Sequence, residues 1–296
     1  MEISVDVVRD LLVEQFPEWA DLPIRAVTPQ GNDNRSFRLG EKLLVRLPSA
    51  EGYVPQVARE EKWLPYLAHR LPLPIPEVVA SGCASQTFPF PWSVRRYLVG
   101  EVAAVAEVAD EMQFAEDLGG FLHTLQCVDA TDGPLAGSEN CFRGCEVTVY
   151  QGETYQCLSD LSDDLPTEKL RLLWEEGSST LWTRHPVWLH GDVNPMNLLV
   201  NSGRLSAVID FGIMAVGDPA CDLVIAWTFF GKRARQVFFE AVGADTETIW
   251  RGRCWAIWKA LIDWDSEHPY FREQARHTIA AILDESGEEP QSGYVS

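Results

Sequence analysis

A two-lobed α+β fold, with a small β-rich lobe followed by a larger, mainly helical one, is predicted by three observations. Residues 25–48 hold three short apolar-polar alternations separated by turn residues, the pattern of half-buried strands. From about residue 112 onward the apolar residues recur mostly at helical spacing. One stretch breaks that helical pattern: "VWLHGDVNPMNLLV" at 187–200 sets a polar loop between two apolar, strand-like segments.

In chain order, residues 4–16 predict an amphipathic helix, with Val5, Val8, Leu12 and Phe16 at helical spacing. Arg25–Thr28 is a short strand, "GNDN" at 31–34 a turn, "RSFRL" a second strand and "LLVRLP" a third. A helix follows over about 55–70, its apolar face carried by Val57, Trp63, Leu64 and Leu67, with Pro65 ending or kinking it. "LPLPIPEVV" is too rich in proline for anything but an extended crossing. "WSVRRYLVGE" at 92–101 alternates as a strand and breaks at Gly100. The lobes are accordingly divided into residues 1–98 and 99–296.

In the second lobe a helix covers 112–126, with Gly119–Gly120 marking a close helix contact. Residues 130–145 read as loop, and helices as covering about 146–158 and 166–182. The opening stretch is expected to form a β-hairpin, with "LSAVIDF" at 205–211 as the next strand. "DPACDLVIAWTFF", "KRARQVFFEAVG", "ETIWRGRCWAIWKALIDW" and "YFREQARHTIAAIL" are helical, and the last ten residues are expected to be disordered.

Composition narrows the function classes. An apolar share of 46% and eleven tryptophans supply a core for 296 residues. Apolar runs such as "DLVIAWTFF" are too short to span a bilayer, which argues against a membrane partner. The acidic, helical start is unlike a signal peptide, and seven scattered cysteines suit reduced thiols, so a cytoplasmic location is expected. Cys141 and Cys145 form the one close pair and have no neighbouring ligand cluster for zinc. A net charge of −20 opposes nucleic-acid binding and would suit a cationic small molecule, although a solvated acidic surface is the commoner explanation. The chain is expected to be a monomer or a weak homodimer.

Two segments carry chemistry. An Asp and an Asn five positions apart, Asp192 and Asn197, share the loop His190–Asn197, and Asp210 lies thirteen positions further on in "IDFG". Hard oxygen donors of this kind suit Mg²⁺ bridging nucleotide phosphates, and a remaining carboxylate can accept a proton from a hydroxyl. The segments resemble the aminoglycoside phosphotransferase and protein-kinase-like superfamily, whose catalytic loop reads H-G-D-x-x-x-x-N and whose magnesium motif is D-F-G. Both motifs are complete here, as His190–Asn197 and Asp210–Gly212, and "GDPACDL" at 217–223 matches a further stretch of small-molecule kinases. The resemblance runs from about residue 20 to about 283.

The resemblance implies a protein-kinase-like bilobal fold, with ATP or GTP and Mg²⁺ as cofactors. It casts Asp192 as catalytic base, Asn197 and Asp210 as metal ligands, and His190 and Asp222 as braces of the loop. For Asp222 a first-turn carboxylate, with Asp218 as N-cap and Pro219 following, is the plain structural alternative. Gly31, Asn34 and Ser36 fall in the nucleotide-positioning loop, which has one glycine where protein kinases have three. Arg46 takes the place of the V-A-I-K lysine, with Leu44 on the same strand face, and Glu60 or its neighbour Glu61 matches the helix-C glutamate. Adenine is expected near Leu44, its edge on backbone groups around Arg96 and Leu98.

The acceptor is the least legible part. Asp263, Asp265 and Glu267 in "DWDSEH" are candidates for holding a cationic aminosugar, or else a solvated helix end. Trp250, Trp255 and Trp258 read first as core and second as a substrate wall, and Arg143 is a candidate for an anionic acceptor. The expected activity is transfer of a γ-phosphoryl group to the hydroxyl of a small molecule, with an aminoglycoside- or macrolide-type antibiotic or a metabolic alcohol or sugar as acceptor. A nucleotide-binding scaffold is the alternative from another class.

Overall fold

The computed structural model describes residues 2–28 and 30–285, so the expectation for the last ten residues lies outside the described part. Helix α1 (Val5–Gln15) starts where the Ser4 hydroxyl caps the Val7 amide. Strands β1 (Ile24–Ala26), β2 (Asn34–Leu39) and β3 (Leu43–Pro48) form an antiparallel meander. Helix α2 (Val54–Ala68) runs through Pro65 and stops three residues later. The proline-rich crossing then enters a strand that sequence reading did not separate from it, β4 (Val78–Gly82), which pairs with β5 (Trp92–Arg96). The sheet order is β1-β2-β3-β5-β4.

Period-2 alternation divides this sheet cleanly. Phe37, Leu39, Val45, Leu47, Trp92 and Val94 are buried with Val8, Leu11 and Leu12 of α1. Asn34, Ser36, Leu44, Arg46, Ser93 and Arg95 therefore share the opposite face, and the register sets Ser36 and Ser93 on either side of Arg46. Helix α2 faces two environments. Its first half buries Gln56, Arg59 and Glu60 toward that polar face, whereas Trp63, Leu64 and Leu67 join the core of the larger lobe. Trp63 meets Trp188 edge-on at 5.0 Å.

Beyond the two-residue strand β6 (Glu101–Val102), helix α3 (Glu111–Cys127) is capped by Asp110. Helices α4 (Gln151–Asp160) and α5 (Thr167–Ser178) follow. The region read as a helix from about 146 begins instead as a 3-10 turn over Val147–Tyr150. Strands β7 (Val187–Leu189), β8 (Leu198–Asn201), β9 (Arg204–Val208) and β10 (Ala215–Gly217) frame the polar loop. The expected hairpin is corrected here: β7 pairs with β10, while β8 pairs with β6 and β9. The loop thus joins two small sheets, and its ends are fixed independently. The strand expected over 205–211 stops at Val208, because Asp210 turns to a φ of +68°.

The chain ends in α6 (Ile225–Thr228), α7 (Lys232–Val242), α8 (Thr246–Asp263) and α9 (Pro269–Glu285). No helix among the described residues is long and apolar enough to cross a membrane. All seven cysteines are free thiols.

The two glycines of α3 differ. A Cβ on Gly119 would lie 2.6 Å from Ala241 Cβ and 2.9 Å from the Phe238 carbonyl oxygen, whereas one on Gly120 would meet nothing within 4 Å. Gly119→Ala is expected to destabilise by about 1–3 kcal/mol through overpacking against α7. Gly120→Ala is expected to stabilise by roughly 0.5–1 kcal/mol through helix propensity. Thermal unfolding of the two variants checks the opposite signs.

Candidate active site

The site lies where the polar face of the first sheet meets the loop between β7 and β8. Arg46 is 8% exposed, and its guanidinium spans two carboxylates. Nη1 donates to Glu60 Oε1 at 3.0 Å and Nη2 donates to Asp210 Oδ1. Glu60 is also held from β5, where Arg95 forks onto both its oxygens at 3.0 and 2.8 Å and is braced by Ser93 at 2.9 Å. Of the two glutamates left open by sequence, Glu60 makes the ion pairs; Glu61 has a buried oxygen with no hydrogen-bond partner. Burial works against charge at Glu60, but Arg46 and then Arg95 outweigh it and hold its carboxyl below the ordinary value. At Asp210 burial is likewise overcome, chiefly by Arg46, so this carboxyl also lies low, with 40% of the side chain open.

The nucleotide-loop residues separate. Asn34, expected at the phosphates, is buried against Arg46; with its carboxamide oxygen turned to the guanidinium, the orientation that satisfies both groups, it accepts from Nε at 3.2 Å and Nη2 at 2.8 Å. Gly31 is exposed and its carbonyl accepts from Arg35, while the Ser36 backbone is bonded in both directions by Gln30. Leu44 lies half-buried on the cleft face, opposite Arg95 in the register. At Arg96 the side chain pairs with Glu77 at the surface and the N–H donates to the Glu77 carbonyl.

In the larger lobe the loop is fixed by backbone bonds. Buried Asp222 accepts from the His190 N–H and the Gly191 N–H, each at 2.7 Å. His190 Nδ1 accepts from the Asp192 N–H at 3.1 Å, so Nε2 carries the proton donated to the Ile209 carbonyl at 2.9 Å. Gly191 has a φ of +89°, and a Cβ there would lie 2.6 Å from the Ile213 carbonyl oxygen. Only glycine lets the loop lie this close to the segment after Asp210. Asn197 donates through Nδ2 to the Asp192 carbonyl at 2.9 Å and to Asp192 Oδ2 at 3.0 Å. Asp218 caps the following turn and pairs with Arg251 at 2.7 Å, as the N-cap reading predicts.

The donor set fits a hard cation. Asn197 spends its amide group on Asp192, which leaves its carboxamide oxygen as the donor atom, and Asp210 supplies an ionised carboxylate. Among the described residues no group of three or more His, Cys, Asp or Glu could hold a metal ion. A magnesium ion would therefore need phosphate oxygens and water to complete its shell.

On the acceptor side, Asp263 is tied to Lys259 at 2.9 Å, and Asp265 and Glu267 are exposed. The cation of this region is Arg143, set 5.0 Å from the Trp255 ring centre and 4.7 Å from that of Trp258. Tyr150 stacks on Trp258 at 4.0 Å. The segment carrying Arg143 presses on Leu189 at Gly144, and Asn140 in it donates to the Ile213 carbonyl.

Three site residues escape sequence reading. Arg95 is one, although alternation through Ser93 and Arg95 in an otherwise apolar strand would have flagged it. Arg59 reaches from α2 to the Gly212 carbonyl at 2.7 Å. Asp33, which accepts from Gln56 at 2.9 Å, has its carboxyl pushed up by burial and by Asp210.

A family model described as "Phosphotransferase enzyme family" matches residues 25–265. An aminoglycoside 3'-phosphotransferase of Escherichia coli is 27% identical over 116 residues, 39% of this chain and 42% of that protein. The uncharacterized Bacillus subtilis protein YcbJ is 30% identical over 87 residues, 25% of this chain and 28% of that protein. These matches thus span less than half the length of the curated relatives. A GDP complex of aminoglycoside 2'-phosphotransferase-IIIa superposes with a TM-score of 0.69 at 16% identity, covering 94% of this chain and 98% of the other. The macrolide 2'-phosphotransferase of Brachybacterium faecium gives 0.63 at 23% identity, covering 93% and 98%. At such identities the likeness shows the shared two-lobed fold.

Glu60 gives a pH test. A carboxyl held below its ordinary value of 4.5 stabilises the fold fully above that pH, and the contribution is lost as pH falls through the folded-state value. Glu60→Gln is expected to cost about 3–5 kcal/mol near neutrality, because two buried guanidinium groups lose their anion. It should also show a flatter loss of stability than the parent chain below about pH 4.5, measured by thermal unfolding across buffers.

Proposed function

The chain belongs to the phosphotransferase enzyme family, and on that premise we propose that it transfers the γ-phosphoryl group of ATP or GTP to a hydroxyl of a small molecule. An aminoglycoside- or macrolide-type antibiotic is the acceptor suggested by the relatives. The observation that carries this reading is the convergence of Asp192, Asn197 and Asp210 with the Arg46–Glu60 pair of the opposite lobe.

Each group has a role that its position supports. Asp192, half-buried and aligned by Asn197, accepts a hydrogen bond from the acceptor hydroxyl and takes its proton. Arg46 offsets negative charge on the phosphates, and its planar fork can meet two oxygens at once. Asn197 and Asp210 would hold Mg²⁺, which supplies charge neutralisation at the phosphates when bound. Leu44 and Leu98 flank the space for the base, and His190 and Asp222 keep the loop in shape. Catalysis of this kind is positional and electrostatic.

A second acceptor class is favoured by Arg143. A cation against two tryptophans, on a segment touching Leu189 and Ile213, suits an anionic or neutral metabolic alcohol better than a polycation. The scaffold alternative rests on Arg46 and on the single-glycine loop; the Arg46–Glu60 pair, expected of the usual lysine, weakens the first of these.

A panel of aminosugars, macrolides and metabolic alcohols with magnesium and either nucleotide tests the reading. Asp192→Ala is expected to lower turnover on the order of 10²–10⁴-fold while leaving nucleotide affinity unchanged. Nucleotide binding without turnover on any acceptor would return the scaffold reading. Arg46→Ala is expected to raise the KM for nucleotide and lower kcat together, and unchanged values of both would remove Arg46 from the phosphate site.

A further inference from the structure

Glu60 carries more cation than a single lysine–glutamate pair provides. Both of its oxygens are occupied by Arg95, with Nη1 on Oε1 and Nη2 on Oε2, and Arg46 adds one amino group to Oε1. Arg95 is 2% exposed and Glu60 1% exposed, so neither can exchange its partner for water. The consequence falls on Arg46. Its fork could close bidentately on one carboxylate, the geometry guanidinium groups favour. Because Arg95 already fills the two-oxygen approach to Glu60, Arg46 splays instead, giving Nη1 to a remaining acceptor site on Oε1 and Nη2 to Asp210, with Asn34 seated against Nε and Nη2.

We propose that Arg95 is a positioning residue: by filling the bidentate approach to Glu60 from β5 it keeps Arg46 splayed, so that one amino group of Arg46 stays beside Asp210, where a nucleotide phosphate would be met. The inference rests on the nucleotide site assigned above. It gives the substitution of arginine for lysine a structural partner. A lysine has one ammonium and reaches one point, whereas an arginine can be drawn wholly onto its glutamate unless that glutamate is occupied. Arg95 contacts neither the loop of Asp192 nor any acceptor candidate through the hydrogen bonds it makes, which go to Ser93 and Glu60. Its influence passes through Arg46.

The test combines kinetics with a structure that needs no nucleotide. In Arg95→Met, Oε2 of Glu60 is vacated, and a crystal structure is expected to show both amino groups of Arg46 on Glu60 and none on Asp210. Nucleotide titration and steady-state kinetics are expected to show at least about a tenfold rise in the KM for nucleotide, with the KM for acceptor unchanged. Adding Glu60→Gln to Arg95→Met removes the competing charge and is expected to restore much of the nucleotide KM. A purely structural role for Arg95 predicts the reverse, a double variant at least as impaired as the single one.

Arg95→Lys, which keeps the charge but loses the fork, is expected to fall between parent and Arg95→Met; it carries the same test, alone and with Glu60→Gln, if the methionine variant does not fold. Arg46 unmoved in the variant structure, or no rescue in the double variant, overturns the proposal. A parent chain that binds neither ATP nor GTP with magnesium overturns the functional reading instead, while the variant structure still decides the posture of Arg46.

Discussion

Charge buried between the lobes is the constraint on which this structure turns. Arg46, Glu60, Arg95 and Asp210 come from β3, α2, β5 and the loop after β9, so every bond among them joins two different elements. Desolvating such charges is costly, and removing any one strands its partner. The geometry that satisfies them all is narrow: α2 must approach the sheet at Glu60, and the Asp210 segment must rise to meet Arg46. Arg59, one residue before Glu60, adds a second tie from α2 to the Gly212 carbonyl. Meeting that geometry defines one relation between the sheet, the helix and the metal-motif loop.

Below the cleft, backbone geometry takes over from side-chain charge. Asp222 spends both oxygens on successive amides at His190 and Gly191, and the His190 ring links the Asp192 amide to the Ile209 carbonyl. The loop and the segment ahead of Asp210 are therefore tied directly to each other. Asp210 sits at positive φ without being glycine, a conformation L-residues adopt at some cost. Ion pairing to Arg46 and the Ile209 carbonyl's bond to His190 hold it there. Pre-set positions of this kind suit a reaction in which placement and charge do most of the work.

The acceptor side follows a different logic. Carboxylates anticipated there are spent on a lysine or face solvent, while an arginine is clamped against aromatic rings. The acidic composition thus does not by itself assign Asp263, Asp265 or Glu267 to a ligand. Net charge averages over every exposed residue, so it says little about the few that line a cleft.

Sequence alone determined what depends on local chemistry and short period: the strand alternation that puts Leu44 and Arg46 on one face, the cap at Asp218, and the spacing of Asp192, Asn197 and Asp210. These are set by dihedral preference, hydrogen bonding over a few residues and a repeat of two or about 3.6. Tertiary structure alone decided which partners meet. Arg46 and Asp210 are 164 positions apart, and Arg95 and Glu60 are 35 apart. Alternation sets Arg95 and Arg96 on opposite faces, but only the assembled sheet turns one onto Glu60 and the other to Glu77. Likewise the apolar flanks of the polar loop look alike in sequence, yet they pair with different strands, because pairing is settled by distant neighbours and not by the flanks themselves.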